Sequence, residues 1–122
     1  MKRDMELIRN ILLSMESAPP EVPFKLDSLV NGTTSTAILH RHLQLLAEAE
    51  FIQAIESQTI GPKAPQVRPI RITWKGYDFL DASRDEGTWR KSMQLVKDKV
   101  GSVSVDVLTE ILKKIALGAI GN

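Results

Sequence analysis

Residues 33–80 read TTSTAILHRHLQLLAEAEFIQAIESQTIGPKAPQVRPIRITWKGYDFL, and this stretch decides the fold. On a helical wheel of about 100° per residue, its first part carries one broad apolar stripe, which predicts a helix packed on a core. The stripe contains Ile38, Leu39, Leu43, Leu45, Leu46 and Ala49. The opposite arc is polar and is expected to face solvent, with His40, Arg41, Gln44 and Glu48. The hydroxyl residues just before the helix are the expected N-caps.

Two strands and another helix follow this main helix. Residues 51–55 suit a first strand, and period-two alternation gives a second strand one apolar face. That face contains Ile70, Ile72 and Trp74. The loop between the strands is longer than a two-residue turn, so it is expected to project as a wing. Thr73 is the predicted N-cap of the next helix.

The flanking segments complete a recognisable order. Residues 3–16 predict a helix that the following prolines end. Residues 22–26 suit a short strand, and residues 26–30 suit a short helix. The order helix, short strand, short helix, main helix, hairpin is that of a winged helix-turn-helix, in which the main helix enters the major groove of DNA.

The predicted fold class is therefore α+β and mostly helical, a winged helix-turn-helix with a small antiparallel wing sheet and additional C-terminal helices. Residues 1–86 form the predicted winged-helix domain. Residues 87–122 form a helical extension that packs on this domain or makes a dimer interface, and the whole is expected to be one compact unit.

Composition narrows the class of protein. The chain has 122 residues, 43% of them hydrophobic, and no cysteine, which favours a reducing cytoplasm and excludes thiolate metal sites. No apolar run reaches the roughly 20 residues that span a bilayer, so no membrane association is expected. Net charge is only +1, but residues 33–75 hold five basic against three acidic residues. The predicted wing region is therefore mildly basic.

Three segments carry a resemblance: MKRDMELIRNILLSME, ILHRHLQLLAEAEFI and ITWKGYDFLDASRDEGTW. They resemble a family of small bacterial and phage proteins, domain of unknown function 2513. The resemblance implies a winged-helix-like fold and a phage or prophage setting, and it implies no activity. Glu50 stands where that family is expected to have glycine, before the first wing strand.

Several residues invite chemical interpretations, and for each a structural role is favoured. His40 and His42 lie about 160° apart on an ideal helix, so they cannot grip one metal ion together. Asp78, Asp81 and Asp85 are interpreted as a solvated helix face. Trp74 and Trp89 are expected in the core, although exposed tryptophans can stack on bases. No phosphate loop, nucleophile elbow or zinc spacing occurs, so we expect neither an enzyme nor a cofactor or metal.

The leading functional hypothesis is a cytoplasmic protein that binds double-stranded DNA, as a phage or prophage transcriptional regulator. The alternative is a non-enzymatic interaction module with a phage or host protein partner on the same fold. The candidate DNA contacts are Thr34, His40, Arg41, Gln44, Lys63, Arg68 and Arg71.

A homodimer is also expected, because the last helix has an apolar arc near 180°. Its candidate interface contains Leu108, Ile111, Leu112 and Ile115. The alternative is that this helix folds back onto its own chain.

Overall fold

The computed structural model describes residues 1–20, 35–57, 66–99 and 105–121. Within these ranges the elements are α1 (Met5–Ser17), α2 (Thr36–Glu48), β1 (Ile52–Ser57), β2 (Gln66–Ile72), α3 (Trp74–Ser83), α4 (Glu86–Lys99) and α5 (Val105–Gly121). The strands pair antiparallel, so the predicted α+β class with a small sheet is confirmed. The winged helix-turn-helix topology stays a prediction. The short strand at 22–26, the short helix at 26–30 and the wing tip lie outside the described residues.

The chain divides into two compact units, Met1–Tyr77 and Asp78–Asn122, with the boundary inside α3. The first unit holds α1, α2 and the β1–β2 hairpin, and the second holds α4 and α5. The domain boundary predicted between residues 86 and 87 stays a prediction, as does the single compact unit.

The core of the first unit forms where α1 packs against α2 and β2. The start of α1 is fixed by Asp4, whose carboxylate accepts a hydrogen bond from the Leu7 N–H at 3.1 Å. Ser35 caps α2 in the same way through the N–H of Ile38. The apolar side chains buried in this unit are Ile8, Ile11, Leu12, Met15, Leu39, Leu43, Leu46, Phe51, Ile52, Val67 and Ile72.

One member of the predicted α2 stripe is misplaced. Ile38 is 40% exposed, whereas His40 on the expected polar arc is 8% exposed. The buried arc of α2 is thus rotated toward His40, because the hairpin covers that side of the helix. The helical wheel counted Ile38 and Leu45 as core positions, so the predicted buried side was centred too far from His40.

The hairpin contains a β-bulge that the sequence pattern did not reveal. Gln53 pairs with Arg71 and Ala54 pairs with Pro69, which leaves Ile70 without a partner in the ladder. An extra residue reverses the alternation of faces beyond it. Val67 and Pro69 therefore point inward before the bulge, while Ile72 points inward after it.

The predicted buried face of the second strand is consequently wrong at two of its three positions. Ile70 is 47% exposed, and Trp74 is 86% exposed. Trp74 is no longer in the strand, because α3 begins with this residue. Ile72 is buried as predicted.

The turn between α2 and β1 is a helix-ending Schellman motif. The N–H of Glu50 donates to the Ala47 carbonyl at 3.0 Å, and the N–H of Phe51 donates to the Leu46 carbonyl at 2.9 Å. Glu50 adopts φ 64°, the left-handed region that favours glycine. Glu50, which stands where the resembling family is expected to have glycine, thus adopts a backbone conformation that suits glycine.

The start of α3 is locked against this turn. The N–H of Thr73 donates to the Phe51 carbonyl at 2.9 Å, and the Thr73 hydroxyl donates to the Glu50 carbonyl. The same hydroxyl accepts from the Gly76 N–H at 3.1 Å, so the predicted N-cap is confirmed. A Cβ on Gly76 would lie 2.2 Å from the Phe51 carbonyl oxygen, so only glycine fits there.

In the second unit, α4 packs against α5. The carboxylate of Asp85 accepts from the N–H of Thr88 at 2.8 Å and from its hydroxyl at 2.9 Å. Asp85 therefore caps α4, and Thr88 lies in the first turn of the helix. Gly87 also lies within the first turn of α4. Trp89 is buried and makes an edge-to-face contact with Phe79, at 6.2 Å between ring centroids.

We expect Gly76→Ala to lower the free energy of unfolding by about 3 kcal/mol, because the new methyl group meets a backbone carbonyl that cannot rotate away. Urea denaturation followed by circular dichroism measures this. Gly87→Ala is the matched control, since its Cβ would meet only the Asp85 side chain at 3.3 Å. Equal stability of the two variants would contradict the close approach.

We expect Glu50→Gly to raise the free energy of unfolding by about 1 kcal/mol, because glycine adopts positive φ without the steric cost that Glu50 bears. Ala49→Gly is the control. Ala49 has φ −76° in the right-handed region, so glycine there should destabilise the protein by about 0.5–1 kcal/mol. Thermal denaturation of both variants measures these changes. A Glu50→Gly protein less stable than the wild type would show that Glu50 does not carry backbone strain.

Candidate nucleic-acid interface

The exposed side of α2 presents Arg41 at its centre. The Arg41 Nη1 donates to Oε1 of Gln44 at 3.0 Å, one helical turn further on. The Nε2 of Gln44 in turn donates to Oε1 of Glu56 on β1. A chain of hydrogen bonds therefore joins the exposed arginine of the helix to the hairpin.

His40 does not lie on this surface, so its position does not support its predicted DNA contact. Its ring is buried, and Nδ1 accepts a hydrogen bond from the Val67 N–H at 2.9 Å. Because the ring bonds a backbone group of β2, it ties the hairpin to α2. Only a small part of the ring is exposed, in the depression that Arg68 also lines.

Arg68 lies beside α2, as the sequence hypothesis requires. It is exposed and lines a depression of about 330 Å³ together with His40 and residues of both strands. Arg71 is also exposed, but its Nε donates to Oε1 of Gln53 at 2.8 Å. It lines a different groove, which also contains residues of the end of α1. Thr34 and Lys63 lie outside the described residues.

His42 is a core residue. Its ring is fully buried, with Nε2 accepting from the Asp4 N–H at 2.9 Å. Nδ1 lies 2.9 Å from the Ile38 carbonyl oxygen. Since Nε2 must be the acceptor, the proton is on Nδ1 and donates to that carbonyl. His42 thus joins α2 to the N-cap of α1, in agreement with its predicted structural role.

The three aspartates do not form one row. Asp78 and Asp81 belong to α3, which ends at Ser83, so Asp85 is not on the same helix. The carboxylate of Asp81 pairs with Arg84 at 2.9 Å. The hydrogen bond from the Thr88 N–H holds the pKa of the Asp85 carboxyl below its ordinary value. In the described part of the chain, no group of three metal-ligating side chains occurs.

Trp74 is the largest departure from the sequence interpretation, which placed it in the core. It lies on the side of α3 opposite the buried residues. Ile70 and Tyr77, which line the groove at the end of α1, are also exposed. Trp89, in contrast, is buried as predicted.

The candidate dimer residues divide into two pairs. Leu108 and Leu112 are buried within a single chain, so they are not available to a partner. The wheel gave the width of the apolar arc, but it could not show how much of that arc α4 covers. Ile111 and Ile115 are half-buried, and Val107 is 50% exposed on the same side of α5.

Glu56 is the functional candidate that sequence reasoning missed. It lies 12 residues after Gln44 in a strand with poor alternation. Nothing in the local pattern indicates that the two side chains meet, because their contact depends on how the hairpin packs against α2.

Comparison with known proteins identifies the family. The chain matches the family model described as hypothetical protein (DUF2513) over residues 2–102, and it belongs to this family. An uncharacterized protein of Haemophilus influenzae is 30% identical over 115 residues, covering 94% of this chain and 95% of the relative. No solved structure matches. Among the described helices, none is long and apolar enough to cross a membrane.

Proposed function

We propose that the protein binds double-stranded DNA through the exposed side of α2 and the adjoining hairpin. The observation that carries the proposal is the position of Arg41. It stands exposed on a helix whose other side is buried, and the His40 ring ties that helix to the hairpin. An α-helix held in this way has the dimensions to enter the major groove.

Two further features support contact with a phosphate backbone. The N-terminal turn of α2 is exposed from Ser35 to Ile38, and the positive end of the helix dipole attracts phosphate there. Arg68 lies beside the helix, where its charge can neutralise a neighbouring phosphate.

In this proposal the protein is a cytoplasmic winged-helix regulator of phage or prophage genes. The absence of cysteine and the resemblance to phage proteins support that setting. The proposed role is non-enzymatic, because α2 offers a binding surface rather than a nucleophile and base.

The exposed aromatic patch favours a second candidate function. The exposed side chains of this patch are Ile70, Trp74 and Tyr77, and burying their apolar surface against a partner would be favourable. Tryptophan and tyrosine are also the residue types that contribute most to binding at protein–protein interfaces. An interaction module with a phage or host protein partner would use this patch. If the patch is the binding surface, wild-type protein and Arg41→Ala should both retain the partner, and Trp74→Ala should lose it. That result would favour this function.

For DNA binding, we expect the double variant Arg41→Ala/Arg68→Ala to lose affinity for duplex DNA at low salt. Its slope of log K against log salt should fall by about one, since Arg68 is the phosphate neutraliser that the variant removes, whereas Arg41 faces the bases. Fluorescence anisotropy titrations at several salt concentrations measure both quantities.

Arg90→Ala is the matched control for this experiment, because Arg90 is exposed on α4 and pairs only loosely with Glu86, at 3.9 Å. Its affinity and salt slope should equal those of the wild type. If wild-type protein binds no random duplex at low salt, the DNA proposal fails.

We also propose a homodimer, with its interface moved to the exposed edge of α5. Val107, Ile111 and Ile115 recur every four residues and so share one side of the helix. A self-complementary apolar edge is the common basis of a two-fold dimer. Such a dimer would present two α2 helices to a palindromic site.

Light scattering tests the dimer. Wild-type protein should have about twice the chain mass of 13.6 kDa, and Val107→Glu should be a folded monomer because the charge cannot be buried between two copies. Lys113→Glu, on the polar side of α5, should stay dimeric. A monomeric wild type removes the dimer from the proposal, and a dimeric Val107→Glu protein places the interface elsewhere.

A further inference from the structure

The orientation of the Gln44 amide follows from its partner on β1. The Glu56 carboxylate can only accept hydrogen bonds, so the Gln44 group that faces it must be the NH₂. The amide oxygen is therefore the atom directed at Arg41, whose Nη1 donates to it at 3.0 Å. The two contacts fix a single orientation of the amide.

This arrangement changes the role that the sequence suggested for Gln44. A glutamine that reads adenine uses both its amide oxygen and its NH₂ on the base edge. Here both ends of the Gln44 amide are already used within the protein. One donor and one acceptor site of the amide stay unused, but these two contacts hold the amide between Arg41 and Glu56.

Arg41 keeps N–H donors that its contact with Gln44 does not use. Its guanidinium carries five N–H donors, and the contact with Gln44 uses one of them. The remaining edge matches the O6 and N7 acceptors that guanine presents in the major groove. Anchoring one side of the guanidinium also reduces the rotamer entropy that an exposed arginine loses on binding.

We propose that Arg41 reads a guanine in the major groove, and that Gln44 and Glu56 are positioning residues that orient its guanidinium. This inference rests on the proposed DNA-binding function and names the base that the surface selects. Glu56 carries a negative charge near the phosphate backbone, which lowers affinity for any DNA sequence. Its contribution is therefore to selectivity rather than to affinity.

The test begins with wild-type protein and a duplex selected from a random library. Each guanine of that duplex is replaced in turn by 7-deazaguanine, which lacks the N7 acceptor, and affinity is measured by fluorescence anisotropy. We expect one position to lose affinity by about tenfold. The substitution is in the DNA, so this result does not depend on any protein variant folding.

The protein variants then assign the roles. Arg41→Ala should bind the natural and the 7-deazaguanine duplexes equally at that position. Glu56→Ala and Glu56→Gln remove the same charge, but only the glutamine keeps an acceptor for the Gln44 amide. We therefore expect Glu56→Gln to keep most of the discrimination and Glu56→Ala to lose most of it, with similar affinities for random duplex. Circular dichroism confirms that each variant is folded.

The outcomes separate this inference from the proposed function. Duplex binding that is insensitive to every 7-deazaguanine, or discrimination that survives in Arg41→Ala, overturns the guanine contact and leaves DNA binding standing. Equal discrimination by both Glu56 variants overturns the positioning role. Failure of the wild type to bind any duplex overturns the proposed function and this inference together.

Discussion

The contact of the Phe51 carbonyl with the start of α3 is the constraint on which the first unit depends. This oxygen accepts the Thr73 N–H, and the bare Cα of Gly76 lies against it. The neighbouring Glu50 carbonyl accepts the Thr73 hydroxyl. The end of α2 and the beginning of α3 are thereby joined, and the hairpin that runs between them is closed at its base. Because these hydrogen bonds hold the turn in place, the fold tolerates the positive φ of Glu50 there.

Two histidines of α2 connect this helix to two different neighbouring elements. His42 accepts the Asp4 N–H and so connects α2 to α1, while His40 accepts the Val67 N–H and connects α2 to β2. Each ring accepts a hydrogen bond from a backbone N–H of another element, and the Val67 N–H would otherwise be buried unpaired. The helix is therefore held from both flanks, and Arg41, which lies between the two histidines in sequence, projects from the remaining side. A rigidly held helix is the physical requirement for presenting one side chain to a base edge.

The bulge at Ile70, in contrast, brings the side chain of this residue to the surface. Ile70 is unpaired and exposed, and Ile72 after it points inward. Trp74 is exposed because α3 begins with this residue and places it on the outer side of the helix. An exposed tryptophan stabilises the folded state little, so its position is a reason to consider a second binding surface. The polar surface of α2 and this aromatic patch are formed by different elements, and each is open to test by substitution without disturbing the other.

Local pattern by itself determined the elements of this protein, because helix caps, proline stops and apolar periodicity act over a few residues. It correctly placed Thr73 as a cap, His42 in the core and Arg41 on the surface. Family membership was also legible in the sequence. Only the tertiary structure decided which flank of α2 is buried, where the hairpin register shifts and which side of α5 is covered. These depend on contacts between residues far apart in the chain, such as Val67 with His40 and Glu56 with Gln44. A helical wheel gives the width of an apolar arc, whereas the packing partner selects the part of it that becomes buried.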